Sequence, residues 1–202
     1  MKHLKLPHYL ILFRLVLAPI IITLALLLKN ESRMAIVILM YLGLFSDIFD
    51  GIIARKQNIS TEKLRRWDSQ VDLVFWIAIA LATWIISPSL IKTNRIGLLA
   101  IIVMEILCYL ISFLKFGKET CTHAFLSKMW GITLLISFTC LIGFNYAGLP
   151  FKTSVILGII SQMDVILIIL ILPKWTHDIP SSYHAYLIRK NIPFKKNKLF
   201  NG

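Results

Sequence analysis

Six long apolar blocks dominate this sequence, and they constrain its fold more than any other feature. A helix crosses about 30 Å of hydrocarbon at 1.5 Å per residue, and each block is near the length that this requires. The blocks run at roughly 10–28, 33–53, 70–87, 96–114, 129–148 and 154–172. Hydrophobic residues make up 57% of the chain and charged residues only 16%, whereas soluble domains carry about 25% charge. The sequence therefore predicts an all-α, polytopic integral membrane protein with six transmembrane helices.

The distribution of lysine and arginine predicts how these helices are oriented. With the N-terminus inside, the inner segments contain 16 basic residues and the outer loops contain 5, while Arg14 lies within the first block. The positive-inside rule then predicts that the N- and C-termini are both cytoplasmic. This topology accounts for the net charge of +12. The basic residues also lack the interleaved aromatics of a single-strand binder, so we expect no nucleic-acid partner.

The sequence predicts one membrane domain and a short tail. Residues 1–175 contain all six blocks and are expected to form a six-helix transmembrane domain. Residues 176–202 contain two prolines and a lysine-rich end. We expect this segment to be a basic interfacial or flexible tail that contacts membrane lipids.

Four aspartates stand where the second and third blocks meet the cytoplasm. Asp47 and Asp50 are three residues apart, and Asp68 and Asp72 are four apart. Either spacing puts both side chains on one face of a helix, and residues 60–61, Ser-Thr, offer an N-cap for the helix that carries the second pair. Facing helices would bring the four carboxylates together, and they would repel one another without protons or metal cations between them.

The residue types around the acids favour phosphate chemistry. Carboxylates without nearby Cys or His ligands favour Mg²⁺, Mn²⁺ or Ca²⁺ over zinc, and four of them can hold two ions about 3.5–4 Å apart for in-line attack at phosphorus. Gly51 leaves room for a phosphate to approach, and Arg55, one turn further on, can neutralise phosphate oxygens. The structural alternative is that the acids pair with Arg55, Arg65 and Arg66.

This pattern resembles the signature of the CDP-alcohol phosphotransferases (CDP-alcohol phosphatidyltransferases), D-x2-D-G-x2-A-R-x8-G-x3-D-x3-D. With every interval intact, the chain matches it at Asp47, Asp50, Gly51, Ala54, Arg55, Asp68 and Asp72. Leu64 replaces the second glycine of the signature. His8 and Ile11 stand where the family usually has Asn and Thr near the first crossing. The resemblance therefore indicates a divergent member of the family.

The resemblance implies an enzyme of phospholipid biosynthesis. The family transfers a substituted phosphate from a CDP-linked donor to an alcohol and releases CMP. CDP-diacylglycerol is the expected donor here, and glycerol 3-phosphate is a candidate acceptor. The implied cofactors are two Mg²⁺ or Mn²⁺ ions, held by Asp47, Asp50, Asp68 and Asp72, of which Asp72 is also the implied catalytic base. The resemblance further implies a homodimer. We expect the protein in the cell inner (cytoplasmic) membrane, and the positive-inside rule predicts that the active site faces the cytoplasm.

The resemblance also assigns residues to the two substrates. The CMP side of the site would be lined by Ser46, Gly51, Ala54 and Arg55. Lys118 belongs to a Gly-Lys pair similar to that of phosphatidylglycerophosphate synthases, and with His123 and Lys128 it would bind a phosphorylated acceptor. The alternative for this loop is contact with anionic lipid headgroups.

A divalent-cation transporter or channel is the alternative function for the acidic cluster. Transport favours acids near the midplane on broken helices, with an exit on the opposite side. Here the cluster lies towards the cytoplasm and the outer half of the blocks is aliphatic, which disfavours transport. Two further acids, Glu105 and Asp164, lie in the middle of the fourth and sixth blocks. For both we favour hydrogen bonding between helices over a place in the substrate cavity.

Overall fold

The computed structural model is all-α and describes residues 6–57, 61–120, 122 and 124–193, with Arg55 described by its backbone alone. The α-helices in these ranges are α1 (Leu6–Leu28), α2 (Arg33–Lys56), α3 (Glu62–Ile86), α4 (Pro88–Thr93), α5 (Arg95–Phe116), α6 (Phe125–Phe138), α7 (Leu149–Ile171) and α8 (Ser182–Arg189). A 3₁₀ turn at Lys29–Ser32 joins α1 to α2, and a π turn at Thr139–Gly143 extends α6.

Five helices in the described part of the chain are long and apolar enough to cross a membrane. The first runs for 49 residues, Leu6–Ala54, and the turn at Lys29–Ser32 divides it into α1 and α2. The others are α3, α5, α6 with its π turn, and α7. Many large apolar side chains on these helices are exposed, as expected of surfaces that face lipid. The predicted all-α, polytopic membrane fold is confirmed to this extent.

The chain forms two compact units. The first consists of Met1–Thr93 and Leu135–Ala147, and the second of Asn94–Leu134 and Gly148–Gly202. In the first unit α1 packs against both α2 and α3, and in the second unit α7 packs against α5 and α8. All four aspartates of the signature belong to the first unit. The boundary expected at residue 175 stays a prediction.

The predicted N-cap starts α3 well before its apolar block. Thr61 has an extended backbone, and its hydroxyl oxygen accepts a hydrogen bond from the N–H of Leu64 at 3.3 Å. Glu62 in the first turn favours the same start, because a negative charge is stabilised by the positive end of the helix dipole. As a result Asp68 and Asp72 both lie on α3, as predicted. Ser60, the other candidate cap, lies outside the described residues.

A glycine lets α2 approach α3 beside the acids. The almost fully buried ring of Phe75 lies against Gly43, so closely that a Cβ there would overlap it. Gly43 precedes Asp47 by about one helical turn, and Phe75 follows Asp72 by about one turn. This close approach therefore sets the separation of the two helices next to the acidic cluster.

Replacing Gly43 with alanine is expected to destabilise the protein by about 1–3 kcal/mol, because the packed Phe75 ring has to move. Gly131→Ala is the matched control. A Cβ at Gly131 would meet nothing within 4 Å, and alanine is favoured over glycine in a helix by about 0.5–1 kcal/mol. Thermal unfolding in detergent compares the two variants, and equal stability would show that the approach at Gly43 is not tight.

The second unit contains its own buried polar contacts. The side-chain amide of Gln162 on α7 donates to the Glu105 carboxylate on α5, and the Cys108 thiol donates to the Gln162 side-chain oxygen at 3.1 Å. Asp164 accepts a hydrogen bond from the N–H of Ser182, at the start of α8, at 3.1 Å. The hydrogen bonding between helices that the sequence favours for Glu105 and Asp164 is confirmed.

Part of the segment 176–202 is helical and packed. Ala185 of α8 is fully buried in the same apolar cluster as residues of α5 and α7. Just before this helix, the N–H of Ile179 donates to the carbonyl of Thr122 at 2.8 Å. These contacts hold α8 within the second unit, and residues 194–202 lie outside the described part of the chain.

Candidate metal and donor site

The four predicted aspartates come together where α2 ends and α3 begins. Asp47, Asp50 and Asp68 each present a carboxylate oxygen, and these oxygens lie within 4.8 Å of one another. The side chains of Asp50 and Asp68 are 3% and 5% exposed, whereas those of Asp47 and Asp72 are 34% and 28% exposed. The cluster therefore has two buried carboxylates at its base and two accessible ones at its rim.

Arg14 of α1 contacts all four carboxylates. Its Nη1 donates to Asp47 Oδ1 at 2.6 Å and also to Asp72. Its Nη2 donates to Asp50 Oδ2 at 2.6 Å and to Asp68 Oδ1 at 2.8 Å. Each nitrogen thus joins one acid of α2 to one acid of α3. Only 1% of Arg14 is exposed, so the guanidinium lies inside the cluster rather than over it.

The packing of α1 against α2 explains how Arg14 reaches the acids. Arg14 precedes the turn at Lys29–Ser32 by 15 residues, and Asp47 follows the turn by 15 residues. In an antiparallel helix pair, residues at equal distances from the turn lie at the same height. No partner for Arg14 was predicted from the sequence. The available signal was its position, because an ionisable side chain within a membrane helix needs a partner.

The charge and the donor atoms of the cluster fit divalent cations. Ionised, the four carboxylates carry four negative charges. Arg14 contributes one positive charge, and Arg65 contributes another through its Nη1, which lies 3.8 Å from Asp68 Oδ2. The four carboxylates outnumber the two arginine side chains. Three of the carboxylates have oxygens within 4.8 Å of one another, and negative charges so close together favour binding of a further cation. Carboxylate oxygens are the ligands that Mg²⁺ and Mn²⁺ prefer.

The residues predicted for the CMP side follow one another along α2, next to the acids. Ser46 is buried, and its hydroxyl donates to the carbonyl of Gly43 at 2.7 Å. Gly51 and Ala54 are also buried, while the side chain of Arg55 lies outside the described part of the chain. Their role towards the nucleotide stays a prediction.

Two residues that differ from those usual in the family belong to one apolar cluster beside the site. Its buried members are Ile11, Ala54, Leu64 and Val71. Ile11 comes from α1 and Leu64 from α3, so two apolar replacements in distant parts of the sequence pack within the same core. Trp67 packs against this cluster, and its ring lies next to that of His8, with 6.2 Å between the centroids and a tilt of 52° between the planes. The volume beside Ala54 is therefore filled by side chains.

Truncating Leu64 to alanine is expected to reduce stability by about 2 kcal/mol, because the lost side chain leaves a cavity. Ile11→Ala should reduce stability by less in the Leu64→Ala background than in the wild type, since both changes remove side-chain volume from the same apolar cluster. Leu27→Ala is the matched control, since Leu27 is 76% exposed. Thermal unfolding of the single and double variants in detergent tests this, and strict additivity would show that the two side chains pack independently.

Lys118 and Lys128, two of the residues predicted for the acceptor, belong to the second unit, whereas the aspartates belong to the first. Lys118 Nζ lies 5.0 Å from the ring centroid of Trp175, whose indole N–H donates to the carbonyl of Glu119 at 2.8 Å. This contact gives Lys118 a structural partner. Lys128 lies on α6, and His123 lies outside the described residues. An acceptor site formed by these residues stays a prediction.

The apolar helices and the buried carboxylate cluster define a polytopic membrane protein with a site suited to metal binding. A sequence model of the CDP-alcohol phosphatidyltransferase family matches residues 4–182. The chain therefore belongs to the CDP-alcohol phosphatidyltransferase family. It is an enzyme of a family that transfers a substituted phosphate from a CDP-alcohol in phospholipid synthesis. No curated protein and no solved structure matches the chain. The predicted family and enzyme class are confirmed.

Proposed function

We propose that this enzyme transfers the phosphatidyl group of CDP-diacylglycerol to a small alcohol and releases CMP at the cytoplasmic face of the cell membrane. The convergence of the signature aspartates of α2 and α3 on one point is the observation that supports this most directly. A diacylglycerol donor suits a site between membrane helices, because its acyl chains can remain in the lipid while its diphosphate reaches the acids.

The proposed topology has six crossings with both termini in the cytoplasm. α1 and α2 contain 23 and 24 residues, so each is long enough for about 30 Å of hydrocarbon. The acids lie at the end of α2 and α3 that is flanked by Lys56, Lys63, Arg65 and Arg66. The positive-inside rule places this end in the cytoplasm, where CDP-linked donors and soluble alcohols meet the membrane.

The family resemblance assigns different roles to the aspartates. All four would hold two Mg²⁺ or Mn²⁺ ions, which when bound would neutralise the donor diphosphate and acidify the acceptor hydroxyl. Asp50 and Asp68 are buried and held in place, which suits metal ligands. Asp72 is at the accessible rim together with Asp47, and following the family resemblance we assign Asp72 as the base. It would take the hydroxyl proton while the acceptor oxygen forms a bond to the phosphatidyl phosphorus and the bond to CMP breaks.

The remaining assignments rest on the family resemblance. Ser46, Gly51, Ala54 and Arg55 would contact the CMP moiety. Glycerol 3-phosphate is the proposed acceptor, because Lys118, His123 and Lys128 would supply positive charge for its phosphate. A homodimer is also proposed, and the mass of the protein in detergent, measured by light scattering, would reveal it.

The test is release of CMP from CDP-diacylglycerol by the purified protein in detergent. Release should require Mg²⁺ or Mn²⁺ and an acceptor, with glycerol 3-phosphate tried first and unphosphorylated alcohols next. A smaller CDP-alcohol in place of CDP-diacylglycerol tests the choice of donor. Absence of CMP with every acceptor, together with divalent-cation flux in liposomes, would favour the transporter over the enzyme.

A further inference from the structure

Arg14 is a protein side chain that lies among the carboxylates proposed as metal ligands. Its two terminal nitrogens contact one oxygen of each signature aspartate. Arg14 enters from α1, whereas the acids belong to α2 and α3, so its contacts link three helices at the site. A role limited to holding the helices together would not require contact with every proposed metal ligand.

We infer that Arg14 is an internal counter-cation that competes with divalent metal ions for the signature aspartates and so sets the metal affinity of the site. The inference rests on the proposed function, since it concerns the metals of that site. In the metal-free protein the guanidinium offsets part of the repulsion among four carboxylates, two of which are buried. Arg14 has to release carboxylate oxygens before those oxygens can coordinate a metal.

Loss of the Arg14 guanidinium is expected to change stability and metal affinity in opposite directions. Removing the guanidinium should destabilise the metal-free protein, because buried carboxylates lose their partner. The same change should tighten metal binding, because a nearby positive charge that repels the metal is gone. A residue with a merely structural role would lower stability and would weaken metal binding or leave it unchanged. The sign of the change in affinity therefore separates the two roles.

The experiment measures binding of Mn²⁺ alone to the full-length protein in detergent. Electron paramagnetic resonance of free Mn²⁺ gives the affinity, and thermal unfolding with EDTA or Mn²⁺ gives the stability. Arg14→Met should bind Mn²⁺ about tenfold more tightly than the wild type, or more. It should also melt at a lower temperature in EDTA and gain more stability from Mn²⁺ than the wild type does.

Arg33→Met is the matched control. Arg33 lies on the same pair of helices, and it donates to the carbonyl of Ile142 at 2.6 Å and to the hydroxyl of Ser87 at 3.0 Å. Both acceptors are neutral, so its loss should lower the unfolding temperature without changing the affinity for Mn²⁺. If Arg14→Met does not fold, Arg14→Lys serves instead. Arg14→Lys keeps the positive charge, but its single ammonium group cannot bridge two carboxylate pairs as the guanidinium fork does. This variant should therefore bind Mn²⁺ more tightly than the wild type, by less than the tenfold expected when the charge is removed.

Competition between Arg14 and metal ions can be tested separately from the proposed reaction. If Arg14→Met, or Arg14→Lys in its place, binds Mn²⁺ no more tightly than the wild type, the inference is wrong, even if the wild type releases CMP. If Mn²⁺ binding tightens while no acceptor supports CMP release, the competition is established and the proposed reaction is not.

Discussion

Replacing Asp72 with asparagine is expected to slow CMP release by about 10²–10⁴-fold, which is the usual contribution of a general base. Asparagine has nearly the shape of aspartate but cannot take the proton of the acceptor hydroxyl. Most of the affinity for the CDP-linked donor should remain, because Asp47, Asp50 and Asp68 still present converging carboxylate oxygens. The measurements are the turnover number for CMP release and the dissociation constant of CDP-diacylglycerol in mixed micelles.

Asp178→Asn is a suitable control for this substitution. Asp178 pairs with His177 at 2.8 Å between Oδ2 and Nδ1, and it belongs to the second unit rather than to the acidic cluster. Its φ of 56° is one that asparagine tolerates well. The control should retain wild-type turnover. Normal turnover in Asp72→Asn would remove Asp72 as the base, whereas equal losses of turnover and donor binding would make it mainly a metal ligand.

The acidic cluster could be predicted from sequence because helical periodicity determines it. Spacings of three and four residues place each pair on one face of its helix, and Thr61 fixes where the second helix begins. The cap and the two pairs are local features, so neither depends on how distant parts of the chain pack. The same reasoning could not show which acids are buried, since the burial of Asp50 and Asp68 depends on α1.

Arg14 could not be assigned because its contacts depend on tertiary structure. The turn at Lys29–Ser32 sets the register of α1 against α2, and a change of one residue in its length would rotate Arg14 away from the acids. Leu64 was visible as a departure from the family signature, and Ile11 as a residue that is unusual for the family near the first crossing. That they belong to one cluster was not visible, because one apolar side chain among many carries no information about its partner.

Asp50→Asn and Asp68→Asn are each expected to weaken Mn²⁺ binding by more than about 100-fold and to abolish CMP release. Substitution of a group that only supports a metal ligand typically costs 10–100-fold, so loss of a ligand itself should cost at least as much. Burial strengthens the effect, because water cannot readily replace an oxygen at the base of the cluster. Asp47→Asn should lose less affinity, since its side chain is 34% exposed and water can take the vacated position.

The stability of the metal-free protein distinguishes this loss from unfolding. Neutralising Asp50 or Asp68 removes one of four mutually repelling charges, while Arg14 keeps the other three carboxylate partners. The unfolding temperature in EDTA should therefore change little or rise, and the stabilisation by Mn²⁺ should disappear. Wild-type Mn²⁺ affinity in both variants would exclude the cluster as the metal site. A large drop in the unfolding temperature in EDTA would show instead that the buried carboxylates are held mainly as structural partners of Arg14.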